Sequence, residues 1–194
     1  MSISINNKPA LLLVDIQDGL DELAYYGEER NNPQAEEKAR DLLEYWRKRG
    51  FPVFHIKHNS TNPNSPLAKG KKGNNIKEIV KPLPEEILME KEVNSAFIGT
   101  PLQKVLLDHK IEKLVIAGLT TDHCVSSTVR MAANLGFSCF VISDATACFN
   151  KTNAEGSQFS ADLVHKICLA CLEGEFAKVL KAQEILDHLE TINN

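Results

Sequence analysis

Short apolar runs alternate along the chain with longer stretches of helical period. Pro9-Ala10-Leu11-Leu12-Leu13-Val14 is apolar at successive positions and stops at Asp15. A strand apolar on both faces belongs inside a parallel sheet, covered by helices on each side. Ala35, Ala39, Leu42, Leu43 and Trp46 then recur with helical spacing on one face, and Gly50 supplies the stop. Pro52 to Ile56 reads as a second strand, and Ile87-Leu88-Met89, running into Glu90-Lys91, as a third. At Thr100-Pro101-Leu102-Gln103, Thr can cap a helix, Pro suits its first position and Gln completes a capping box. Lys113 to Ala117 predicts a fourth strand that ends at Gly118, with a helix from about Asp122 to Leu135 closed by Gly136. Cys139 to Ile142 is the fifth strand. Ala161, Val164, Ile167, Cys168 and Cys171 mark another helix face, and a Lys178-Val179-Leu180 strand and a last helix finish the chain.

This alternation builds βαβ units. It predicts one α/β domain over residues 1–194, a doubly wound three-layer sandwich with a mostly parallel sheet of about six strands. No internal repeat or interdomain linker interrupts it. Asn59 to Asn75 is polar and rich in Pro, Asn, Gly and Lys, so it reads as a long loop, functional or mobile. The length of 194 residues fits one domain, and 43% hydrophobic with 25% charged residues is ordinary for a globular protein. A net charge of −4 gives no footprint for nucleic acid or an anionic membrane surface. Met1 to Lys8 has no leader pattern, and the longest apolar run, Ala10 to Val14, is far below the ~20 residues of a spanning helix. The expectation is a soluble cytoplasmic protein that binds neither nucleic acid nor membrane. Its five cysteines are scattered among apolar residues, which suits reduced thiols, and one of them can be there for its chemistry.

In an open parallel sheet, ligands bind beyond the carboxyl ends of the strands. Those ends carry Asp15 and Gln17, His55 to Asn59, Lys91 to Ser95, Thr120 to Cys124, and Asp144. Cys124 sits where a strand gives way to a helix, a place where the helix dipole favours thiolate and free N–H groups can receive an oxyanion. The alternative for Cys124 is a buried structural thiol. Asp15 is either a general base or a turn former, and Lys91 either a source of positive charge or a solvated lysine.

Taken together, Leu12-Leu13-Val14-Asp15-Ile16-Gln17, Lys91-Glu92-Val93-Asn94-Ser95-Ala96-Phe97-Ile98-Gly99-Thr100 and Gly118-Leu119-Thr120-Thr121-Asp122-His123-Cys124-Val125 resemble the isochorismatase-like cysteine hydrolases. That group includes nicotinamidases and carbamoyl- and ureido-amide hydrolases. The resemblance runs from Pro9 to about Leu186. It implies a triad of Cys124 as nucleophile, Asp15 as general base and Lys91 as electrostatic partner, working through an acyl-enzyme. It also implies a cis peptide at Leu119-Thr120, an oxyanion hole from the N–H groups of Thr120 and Cys124, and a homo-oligomer, dimer or tetramer. Isochorismatases proper lack the nucleophilic cysteine, so Cys124 favours cleavage of a small-molecule amide or related C–N bond. Thr121 to Val125 looks most like the nicotinamidase turn, yet the Asp-x-His metal motif of nicotinamidases is replaced by Phe54-His55-Ile56-Lys57-His58-Asn59. The expectation is therefore no metal and no cofactor. The alternatives are a nicotinamidase that binds metal despite the missing motif, and a redox-sensing or thiol-binding protein on the same fold.

Gln17, His58, Phe97 and Leu119 are the substrate-pocket candidates. His55 and His58 fall on opposite faces of a strand, with His55 packed and His58 toward the pocket. Tyr25 and Tyr26 would cover the site or an oligomer interface. Cys168-Leu169-Ala170-Cys171 lies late in a helix and reads as core, not as a redox pair. Lys69 to Gly73 reads as a solvated loop. His109, His123, His165 and His188 carry structural or solvent roles.

Overall fold

The computed structural model describes residues 8–191. Met1 to Asn7, where no leader was expected, and residues 192–194 lie outside it. Six strands form one all-parallel sheet: β1 (Ala10–Val14), β2 (Val53–His58), β3 (Ile87–Lys91), β4 (Lys113–Leu119), β5 (Ser138–Ala147) and β8 (Lys178–Leu180). Their order is β3-β2-β1-β4-β5-β8, and β6 (Lys151–Thr152) and β7 (Gln158–Phe159) make a separate antiparallel ribbon. The expected doubly wound architecture is present. The chain steps outward from β1 through β2 to β3, then returns to place β4 on the other side of β1. That reversal opens a crevice at the carboxyl ends of β1 and β4.

Every residue of β1 is buried, which is why it reads as an unbroken apolar run. Leu11 and Leu13 face a core layer built with Ala39, Leu42, Leu43 and Trp46 of α2 (Ala35–Arg49) and Ile185 and Leu189 of α6 (Ala182–Thr191). Ala10, Leu12 and Val14 face the opposite layer, with Leu102 and Leu106 of α3 (Leu102–Asp108) and Val129 and Ala132 of α4 (Ser126–Asn134). α2 complements its own dipole, with Glu36 and Glu37 in its first turn, Arg47 to Arg49 in its last, and Gly50 as a left-handed cap. Trp46, with no exposed surface, donates its indole N–H to the Pro9 carbonyl at 2.8 Å.

Four expectations change in detail. The helix expected from Asp122 starts at Ser126, because Thr121–Val125 winds as a wider π turn. β5 continues past Ile142 to Ala147; its pairing jumps from Ile116–Val141 to Gly118–Thr146, so a bulge over Ile142 to Ala145 leaves the ladder. At α3 the Thr100 hydroxyl accepts the Leu102 N–H at 3.3 Å, one residue short of the Gln103 N–H that a capping box engages. On α5 (Ala161–Leu172) the buried residues are Ala161, His165, Leu169 and Leu172. Ile167 is 54% exposed, Cys168 half-buried and Cys171 exposed, so the Cys168–Cys171 pair is not core. Apolarity alone selected the stripe next to the buried one, because the true stripe contains a histidine. The Asn59–Asn75 loop is fastened inward by buried Ser65, Leu67, Ala68 and Asn74.

At the amino ends of β2 and β3, His55 Nε2 lies 2.8 Å from Glu86, which also takes a two-pronged bond from Arg47. Burial pulls the Glu86 pKa up, but Arg47, the Leu83 N–H and His55 outweigh it and hold it at about 2. A depressed carboxyl stabilises the fold above its unfolded pKa and loses that contribution as pH falls toward the folded value. Glu86→Gln is therefore expected to flatten the decline in melting temperature between about pH 4.5 and pH 2. An unchanged acid profile in calorimetry would contradict this.

Candidate active site

Three strand ends converge at the crevice. Asp15 follows β1 with φ 51°, a left-handed turn that Asp tolerates better than most residues. Lys91 closes β3. Cys124 lies in the π turn after β4. Lys91 and Asp15 are each 2% exposed and Cys124 9%. The Lys91 ammonium donates to Asp15 Oδ2 at 2.6 Å and to Cys124 Sγ at 3.3 Å, and lies 3.3 Å from His58 Nδ1. Asp15 Oδ1 is buried with no hydrogen-bond partner. The Leu119-Thr120 peptide is cis, and the Thr120 carbonyl accepts the N–H groups of His123 and Val125.

The electrostatics differ from the sequence expectation in one respect. Burial, and then the Asp15 charge, push the Cys124 pKa up; Lys91 opposes them and does not prevail. The balance runs toward the thiol and against the thiolate that a helix end would favour, with burial the larger cause and the Asp15 charge the next. His58 is pushed down, by burial and then by Lys91, so its imidazole rests neutral.

Asp15, His58 and Cys124 place one ligand atom each within 4.8 Å of one another, a spacing that suits a metal ion. The Lys91 ammonium is within hydrogen-bonding reach of all three and is already the cation of that cluster. A dication would have to displace it. His55 turns to Glu86 on the opposite face, and Lys57 pairs with Glu90. The residues present do not fit a nicotinamidase-type metal site.

The pocket candidates separate. His58 stands against Lys91. Gln17 has no exposed surface; its amide donates to the His58 and Asn74 carbonyls at 3.0 and 2.9 Å and accepts the His58 N–H at 2.8 Å, so it ties β1 to β2 and the long loop. Phe97 is half-buried and stacks with Phe137 at 5.9 Å, and Leu119 is in the core layer with α2. Tyr26 stacks on Phe149 at 5.0 Å, with its hydroxyl buried and unpartnered, while Tyr25 is 46% exposed. Asn94 escaped the sequence reading. Its Oδ1 lies 3.8 Å from Cys124 Sγ, and only its place three residues after Lys91 hinted at this. Asp122, beside Cys124 in the turn, bonds Lys151 of β6 at 3.0 Å and His123 at 3.2 Å.

The chain is similar to known proteins in sequence and in fold. The family model described as Isochorismatase domain matches residues 9–183. The isochorismatase family protein YrdC of Bacillus subtilis is 44% identical over 183 residues, covering 94% of this chain and 97% of the relative. An isochorismatase-family crystal structure from Chromobacterium violaceum superposes with a TM-score of 0.93 at 43% identity, covering 99% of this chain and 98% of that one. Nicotinamidase 3 of Arabidopsis thaliana is 26% identical over 155 residues, covering 73% of this chain and 74% of the relative. With a family model matched over residues 9–183 and relatives alike in sequence and fold, this chain belongs to the isochorismatase family of hydrolases.

Proposed function

We propose that the protein hydrolyses a small-molecule amide or related C–N bond through a Cys124 thioester. The observation that carries this reading is the buried Lys91 ammonium joined to both Asp15 and Cys124. Cys124 sulfur attacks the carbonyl carbon while the thiol proton passes to Asp15, whose Oδ1 is unpartnered. Burial and the Asp15 charge push the Cys124 pKa up, so attack is helped by such a base. Lys91 and the N–H groups of Thr120 and Cys124 offset the charge on the carbonyl oxygen. The intermediate collapses, the C–N bond breaks, and the proton held by Asp15 leaves with the amine. Water, deprotonated by the same carboxylate, then cleaves the thioester to an acid and restores the thiol. A redox sensor is best served by a lowered thiol pKa, whereas burial pushes that of Cys124 up.

The test is a panel of small primary amides and ureido acids assayed by ammonia release, with acid-quenched samples weighed by mass spectrometry. The expected result is turnover on at least one compound, an acyl adduct on the Cys124 peptide, and neither in Cys124→Ala. Turnover that survives Cys124→Ala would sink the proposal. Assembly as a dimer or tetramer belongs to the same reading and is checked by light scattering. No helix among the described residues is long and apolar enough to cross a membrane.

A further inference from the structure

His165 is buried on α5, outside the Asp15–Lys91–Cys124 cluster, with both ring nitrogens engaged. Nε2 lies 3.1 Å from the Ser143 carbonyl, and Nδ1 lies 2.9 Å from the Thr121 hydroxyl. A carbonyl only accepts, and the Asn32 amide nitrogen that also lies 3.3 Å from Nε2 already directs its hydrogens to the Ser143 and Thr146 carbonyls, so Nε2 carries the proton and Nδ1 the lone pair. The Thr121 hydroxyl therefore donates to Nδ1. Burial pushes the His165 pKa down, with Asp162 and Asp122 opposing and Lys166 assisting, which keeps the ring neutral. Ser143 can serve as the anchor because it lies in the β5 bulge, where its carbonyl also takes the Asn32 amide at 2.9 Å. Thr121, with no exposed surface, opens the π turn that ends just past Cys124.

We propose that His165 is a positioning residue for the nucleophile: its Nδ1 holds the Thr121 hydroxyl and so fixes the turn that keeps Cys124 Sγ against Lys91. This rests on the reading of Cys124 as the nucleophile. A side chain that misplaces a reacting atom by about 1 Å can cost about a hundredfold in rate, so a single distant hydrogen bond can matter. A purely structural histidine would need both bonds equally. A positioning one needs the bond to Thr121 above all.

The experiment uses iodoacetamide on the full chain, with the alkylation rate of Cys124 read by mass spectrometry against exposed Cys171 in the same molecule. His165→Asn keeps a polar atom near Nδ1, and His165→Gln keeps one near Nε2. Thr121→Val removes the donor with little change of volume, and Thr121→Ser restores it. His165→Gln and Thr121→Val are each expected to lower the Cys124/Cys171 ratio about tenfold. His165→Asn and Thr121→Ser should stay within about threefold of the parent, and the His165→Gln/Thr121→Val double should be no slower than either single variant. The inference is overturned if His165→Asn is as slow as His165→Gln, if Thr121→Val keeps the parent ratio, if the two changes add, or if the parent Cys124 does not react. Failure of the hydrolytic reading looks different: the alkylation pattern stands, but no amide in the panel releases ammonia.

Discussion

An Asp15→Asn protein is expected to melt about 10 °C below the parent and to lose turnover by about a thousandfold or more. Two separate effects combine. Asparagine tolerates the left-handed backbone at this position and nearly matches aspartate in volume, so the fold is not strained. The change instead leaves the Lys91 ammonium, 2% exposed, without its counter-charge at 2.6 Å. Breaking a buried pair in this way costs about 3–5 kcal/mol. The same change removes the proton acceptor that a protonated Cys124 thiol needs. The Asp15→Asn/Lys91→Met double variant separates the effects. It should regain most of the lost stability, since methionine needs no partner, and regain none of the activity. Calorimetry and ammonia release measure the two arms. A single variant as stable as the parent would show that the pair is not buried as described, and an active double variant would remove both residues from the proposed chemistry.

Gly118→Ala is expected to prevent accumulation of folded protein, a loss beyond about 4 kcal/mol. Gly118 has φ 129°, and a Cβ there would lie 2.0 Å from the Val14 carbonyl oxygen, a backbone atom of β1 that cannot step aside. The residue pairs with Val14 at the end of the β1–β4 ladder, one residue from Asp15. Gly136→Ala is the matched control. It also has positive φ, 92°, but its Cβ would meet open space. It should cost only about 1–2 kcal/mol. Circular dichroism with a urea titration distinguishes them, and equal stability of the two variants would refute the close approach of β1 and β4.

The parts of this fold that were legible in the sequence are those set by local periodicity. β1 is apolar on both faces because both are covered, α2 shows a single stripe, and Lys178–Leu180 is a strand as read. What escaped depends on partners distant along the chain. Ser143 and Asp144 look like a strand terminus, yet β5 continues beyond them, because Ser143 serves Asn32 and His165 and Asp144 accepts the Ala182 N–H. The buried face of α5 is hidden in the sequence for the same reason, since one of its positions, His165, is a polar residue whose partners a sequence does not reveal. Asp15, Lys91 and Cys124 are legible as residues at or just past strand ends, and their grouping as a triad is what the family resemblance implies. The direction of the Cys124 pKa shift is not legible, since a helix end favours thiolate while burial beside a carboxylate opposes it. Gln17 likewise offers an amide at a strand end, and only the folded chain shows that three bonds occupy it.

The positive charge at the centre of this crevice is part of the polypeptide. A lysine held among a carboxylate, an imidazole and a thiol cannot be stripped by a chelator, diluted away or exchanged for a neighbouring element in the transition series. Its supply is secured at translation, because the group that bears it is a side chain of the protein itself. The corresponding cost is rigidity of choice: an ammonium has one charge and one size, and only mutation can retune it.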